Sequence, residues 1–118
     1  MKISEIINAK PVLDSITQNK ELPTKTAYKI YLMILKINPS LEFFEQKRIE
    51  AFEKYGVKEN DMVIIPEEHR DEFMAILNEV GNFECDEKIE RVDISLDVNL
   101  GISPAEIALL EQFINFIE

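Results

Sequence analysis

The chain has 118 residues, 46% of them apolar and 31% charged, with 23 Asp/Glu against 13 Lys/Arg and a formal net charge of −10. That length fits one domain over residues 1–118 built on a single core, and the composition excludes a disordered or low-complexity chain. The longest apolar run, Ile30 to Leu35 between Lys29 and Lys36, falls far short of the about 20 residues that cross a bilayer.

Ser4 is placed to cap a short helical turn over Glu5 to Asn8, and these polar residues interrupt the unbroken apolar core that an export signal needs. Pro11 fits the first position of a second short turn through Val12, Leu13 and Ile16. The stretch NKELPT then breaks the pattern, with Pro23 and Thr24 or Thr26 set to begin the next helix. From Ala27 the apolar residues fall into heptads: Ala27, Ile34, Leu41 and Tyr55 share one position, Ile30, Ile37, Phe44 and Ala51 the other, and Arg48 alone interrupts them. The register crosses Pro39 without a slip, which favours one spine over residues 24–55, about 45 Å long, kinked near Asn38-Pro39 and closed by Gly56 as a left-handed cap. The other reading keeps the seam but makes Asn38 an N-cap and Pro39 the first residue of a new helix.

VKEND reads as a polar turn, and residues 62–65, stopped by Pro66, as a buried strand. Residues 67–80 form an amphipathic helix: Glu67, Glu68, Asp71 and Glu72 suit its positive end, Phe73, Ile76, Leu77 and Val80 make its stripe, and Gly81 stops it. Residues 83–85 suggest a brief strand. Residues 92–100 alternate faultlessly, Val92, Ile94, Leu96, Val98 and Leu100 on one face, as a half-buried strand does. Ser103, Pro104 and Glu106 then form a capping box for a C-terminal helix over 104–117, with Ile107, Leu110, Phe113, Ile114 and Ile117 inward. The predicted fold is α+β, helix-dominated, with a small antiparallel sheet of 62–65, 83–85 and 92–100.

Chemistry is sparse in this pattern. Gly56, Gly81 and Gly101 each end an element, and no phosphate-cradling glycine motif occurs. His69 stands among Glu68, Asp71 and Glu72, which read as a solvated helix start; the residue three before it is Pro66, so the Glu-x-x-His pair of carboxylate metal sites is not formed. Asp93, Ser95, Asp97 and Asn99 have the spacing of a calcium loop, yet Val98 and Pro104 stand where its glycine and bidentate acid belong. Cys85 has acidic neighbours that would raise its pKa, and as a single cysteine it forms no intrachain disulfide, which fits a reducing compartment. Neither a catalytic residue nor a cofactor is expected.

Surface and charge are more informative. Residues 1–54 hold nine Lys/Arg and seven Asp/Glu, residues 55–118 four and sixteen, so the halves carry +2 and −12; the second half opposes binding to phosphate backbones. Tyr28, Tyr31, Leu32, Met33 and Leu35 lie off the heptad seam, so the spine is apolar on several sides. Tyr28, Tyr31, Ile34, Leu41, Phe44, Phe52 and Tyr55 are the candidate interaction surface, for a second copy or another protein. Lys25, Lys29 and Lys36 share one side of the spine as a basic stripe, either solvated or anion-binding, and Glu84, Asp86, Glu87 and Glu90 form a candidate acidic surface.

ELPTKTAYKIYLMILKIN, FFEQKRIEAFEKYG, VIIPEEHRDEF and ISPAEIALLEQFI together resemble a group of small uncharacterised proteins of phages and prophages of Gram-positive bacteria, over most of the chain. Leu22-Pro23, Glu53-Lys54-Tyr55-Gly56 and Ser103-Pro104-Ala105-Glu106 stand where that group opens its long helix, closes it and starts its last helix. The resemblance implies a phage origin and host cytoplasm, and transfers no catalytic residue. The expected function is a non-enzymatic interaction or assembly protein that works through the spine, with itself or a phage or host protein as partner and no direct contact with nucleic acid or membrane. The alternative is an acidic decoy of a host nucleic-acid-binding or defence enzyme.

Overall fold

The first fifty-five residues form two helices whose apolar faces meet. A computed structural model describes residues 1–85 and 87–118. Helix α1 spans Ile3–Thr17 and α2 spans Thr24–Tyr55. Helix α1 is one helix and not two short turns: Lys2, not Ser4, is its N-cap, and Pro11 sits inside it on the exposed side. Its stripe Ile6, Ala9, Leu13 and Ile16 is fully buried on either side of that proline. Burying each large member contributes about 1.5–3 kcal/mol, which together outweighs the about 3 kcal/mol that a mid-helix proline costs. Helix α2 likewise runs unbroken through Pro39, so the reading with a new start at Asn38 falls. It begins after Pro23 with no side-chain cap, neither Thr24 nor Thr26 serving, and Ile30, Met33, Ile37 and Ala51 are its buried residues. Between the helices, Asn19 bridges: its side-chain oxygen accepts from the Glu21 N–H at 2.8 Å and its amide donates to the Asn99 carbonyl at 2.8 Å.

Gly56 does not close α2 as a left-handed cap. Its φ and ψ are −74° and 145°, an extended conformation that carries the chain directly into a strand. Glycine is needed there for space, since a Cβ would stand 2.4 Å from the Phe52 carbonyl oxygen and 2.7 Å from Val63 Cγ1. Strands β1 (Val57–Glu59) and β2 (Met62–Ile64) form an antiparallel hairpin. Asn60 and Asp61 both take positive φ, 50° and 64°, as the two central residues of a type I′ turn must. The expected polar turn is therefore half strand, and the expected buried strand lies exposed.

Helix α3 covers Glu67–Gly81, one residue beyond the expected helix, and buries Phe73 and Val80. Residues 83–85 join no sheet: Lys2 and Glu84 form an isolated antiparallel bridge, flanked by the Ile3 N–H on the Phe83 carbonyl at 3.0 Å and the Cys85 N–H on the Met1 carbonyl at 2.7 Å. Strand β3 spans only Val92–Ser95, helix α4 Pro104–Leu109 and strand β4 Ile114–Ile117. The capping box of Ser103 and Glu106 is present, but the C-terminal helix ends after six residues. Residues 114–117 instead pair parallel with β3, Val92 with Ile114 and Ile94 with Phe116. An apolar run this short suits either period; β-branched Ile114 and Ile117 and the outward Asn115, which bonds Asp93 at 3.0 Å, suit the strand. Alternation after Ser95 forms no ladder because β4 ends, and a turn held by Asp97 N–H on Ser95 Oγ at 3.1 Å follows. The fold is α+β and helix-dominated, with one two-stranded antiparallel and one two-stranded parallel sheet among the described residues where a single antiparallel sheet was expected.

The core lies at one end. Helix α1, the first half of α2, β3, β4 and the turn after α4 enclose Ile6, Leu13, Ile16, Ile30, Ile37, Ile94, Leu110 and Phe113. The second half of α2 is covered chiefly by α3 and the hairpin, with the start of α1 across a cleft from Phe44 and Phe52 edge-on to Phe73 at 4.8 Å between ring centroids. The molecule is accordingly long, 52 × 32 × 22 Å with a radius of gyration of 17.2 Å, against about 13.5 Å for a compact chain of this size. Among the described residues, no helix is long and apolar enough to cross a membrane.

Two substitutions test the helix junctions. Pro39→Ala restores the hydrogen bond owed to the Leu35 carbonyl and raises unfolding free energy by about 2 kcal/mol, the about 3 kcal/mol helix penalty less about 1 kcal/mol from the freer unfolded chain. Gly56→Ala lowers it by about 1–3 kcal/mol through overpacking. Urea unfolding of both variants beside the wild type reads the two signs.

Candidate functional site

The heptad seam of α2 is the face that the chain covers for itself. Ile34 and Leu41 pack against the core cluster, Phe44 lines a cleft between α1 and α3, Phe52 meets Phe73, and Tyr55 stacks beside His69 with centroids 5.5 Å apart. These five residues of the expected interaction surface serve the fold. The reason is economy of burial: a stripe with continuous register is the one that neighbouring helices of the same chain can cover. Arg48, the interruption of the seam, is held by Glu45 through Nε on Oε2 at 2.9 Å and lies 5.2 Å from the Phe52 ring centroid. That hydrogen bond keeps the Glu45 carboxyl below its ordinary range.

Tyr28 and Tyr31 remain on the opposite, outward side. With Leu32 and Leu35 they form a second apolar stripe at i, i+3, i+4 and i+7, exposed by 59%, 54%, 40% and 48% respectively. That spacing is one helix face, and it lies away from Ile30, Met33 and Ile37. The two tyrosine rings are 6.3 Å apart. Leu32 and Leu35 belong to this exposed stripe although the expected residue set omits them; their signal in the sequence is the off-seam spacing from Tyr28.

Beside this stripe runs a groove of about 420 Å³ between α2 and the segment that leads into β3. Leu32, Met33, Leu35, Ile89 and Val92 give it apolar walls, and Lys29, Lys36, Arg91 and Glu90 stand around it. Lys29 and Lys36 come from the basic stripe; Lys25, exposed one turn earlier, does not line the groove. Arg91 is an addition the fold supplies, since fifty-five residues separate it from Lys36 in the chain. Among the described residues none of Lys25, Lys29, Lys36 and Arg91 makes an ion pair.

The described acidic candidates, Glu84, Glu87 and Glu90, are all exposed. Glu84 accepts from the Met1 ammonium at 2.8 Å, which holds its carboxyl below the ordinary value. Glu87 is exposed and Glu90 borders the basic groove; Asp86 lies outside the described residues. Cys85 is half-buried, with Ser40 Oγ 3.4 Å from its sulfur. His69 Nδ1 is 3.2 Å from Glu72 Oε2 at the start of α3.

Comparison with protein-family models, curated proteins and solved structures finds no match to this chain.

Inward and outward faces of α2 respond differently to truncation. Ile30→Ala costs about 2–5 kcal/mol of stability by opening a cavity, whereas Tyr31→Ala stays within about 0.5 kcal/mol because no core contact is lost. Thermal unfolding of the two variants, one residue apart, measures the difference.

Proposed function

We propose that this chain is a non-enzymatic interaction protein that associates with itself through the outward face of α2, the stripe of Tyr28, Tyr31, Leu32 and Leu35. The supporting observation is unpaid surface. The molecule exposes 8120 Å², against about 6,600 Å² for a compact monomer of its 13.7 kDa mass. The excess, about 1,500 Å², is more than the about 800 Å² each partner contributes to a standard interface. Four large apolar side chains at helical spacing on a rigid helix form a suitable centre for that interface, because tyrosine and leucine on a fixed backbone lose little conformational freedom when covered. The sequence motifs that resemble small phage and prophage proteins assign the work to a host cell's cytoplasm, as part of the same proposal.

Light scattering across a dilution series tests the association. The wild type has twice the 13.7 kDa chain mass at micromolar concentration and dissociates on dilution. Tyr31→Glu with Leu35→Glu weakens the dimer about thirtyfold or more, the effect of losing about 2 kcal/mol at a buried interface centre, with the circular dichroism of the monomer unchanged. A wild type that stays monomeric throughout refutes the reading.

A further inference from the structure

The groove beside the stripe carries a separate message. In a chain of net charge −10, Lys29, Lys36 and Arg91 converge on one apolar cleft, where Glu90 is the carboxylate that lines it among the described residues. Glu67, Glu68, Asp71 and Glu72 at the start of α3 lie far from these cations: α3 begins beside Tyr55, which is nineteen residues beyond Lys36 in the chain and so about 28 Å along the helix axis. An apolar floor between cations suits a ligand that is itself apolar on one side and anionic along its edges. A small inorganic anion would leave Leu32, Leu35 and Ile89 uncovered, and a purely hydrophilic polyanion would gain nothing from them. Lys29 and Lys36 are seven residues, about 10.5 Å, apart along α2, the rise between carboxylates two turns apart on a facing helix.

We propose that this groove docks an acidic amphipathic helix of a partner protein, its apolar side on Leu32, Leu35 and Ile89 and its carboxylates on Lys29, Lys36 and Arg91. The geometry is a helix-in-groove mode, with charge setting orientation and apolar contact supplying affinity. It goes beyond self-association: the groove opens to the side of the outward stripe, sharing Leu32 and Leu35 with it as a border.

A labelled sixteen-residue peptide tests this, with leucine at i, i+3, i+4 and i+7 and glutamate on both flanks, read by fluorescence anisotropy on the full chain. Three companions accompany it: the same peptide with lysine for glutamate, a scrambled version that keeps the charge but loses the stripe, and polyglutamate. The acidic amphipathic peptide binds at least tenfold tighter than each, binding weakens as salt rises, and Arg91→Glu weakens it at least tenfold while the protein's own association is unchanged. Equal binding of the scrambled peptide or polyglutamate overturns the proposal, as does binding that survives the charge reversal at Arg91. Loss of self-association in that variant assigns the groove to a second copy of the chain and likewise overturns it. A wild type that is monomeric yet binds the amphipathic peptide refutes the self-association reading alone and leaves this one supported.

Discussion

The contact between α1 and the inner face of the first half of α2 is the constraint on which the rest of the molecule is arranged. Ile6, Leu13 and Ile16 meet Ile30 and Ile37, and Ile94, Leu110 and Phe113 close the cluster from the other side. Each of these side chains is removed from water almost completely, at about 1.5–3 kcal/mol apiece. That is enough to carry two helices unbroken through Pro11 and Pro39. It also explains the parallel pairing of β3 with β4: both strands send one face, Val92 and Ile94 from β3 and Ile114 from β4, into the same cluster. Two short strands with no further partners form because the core fixes them, since a two-stranded sheet has little stability of its own.

A core gathered at one end has two consequences for the surface. The far half of α2 is left with a thin cover of α3 and the hairpin, which makes the molecule long. The near half is rigid, and it is on this half that both the outward stripe and the basic groove are found. Lys29, Leu32 and Lys36 share a helix whose opposite face is locked in the core. Arg91 and Val92 stand at the start of a strand fixed by the Val92 N–H on the Phe113 carbonyl at 2.9 Å. A surface built on such elements needs little ordering when it is covered, which is the condition under which modest contact area gives useful affinity.

The sequence displayed the long helix, the capped helix at 67–80 and the Ser103–Glu106 box, because each rests on local signals: periodicity, capping residues and a glycine. The heptads it displayed on α2 mix two faces. The heptad register marks the residues that a helix buries, and in a chain with enough other helices the chain buries them itself; what was left over was Tyr28, Tyr31, Leu32 and Leu35. The C-terminal segment was illegible for a different reason. Leu110, Phe113, Ile114 and Ile117 satisfy a helical period and a strand equally, and the choice was made by β3, more than twenty residues away in the chain. Arg91 entered the basic groove by the same kind of long-range placement, to which no local pattern points.

Charge places a further restriction on how such a molecule is able to meet another. Two copies of a protein at −10 repel one another over about a Debye length, roughly 8 Å at physiological salt. Contact is therefore least costly where carboxylates are fewest. The outward stripe satisfies this condition: from Thr24 to Ser40 the helix carries Lys25, Lys29 and Lys36 and no acid at all, whereas Glu42, Glu45, Glu50 and Glu53 follow in its second half. Lysine stems also lie easily along apolar surface while their ammonium groups stay in water, so the same residues that lower the repulsion extend the apolar area. The uneven charge of the chain thus acts as a selector of faces: it discourages approach through α3 and the second half of α2, and leaves the first half of α2 as the side through which another chain, identical or acidic, arrives against the least opposition.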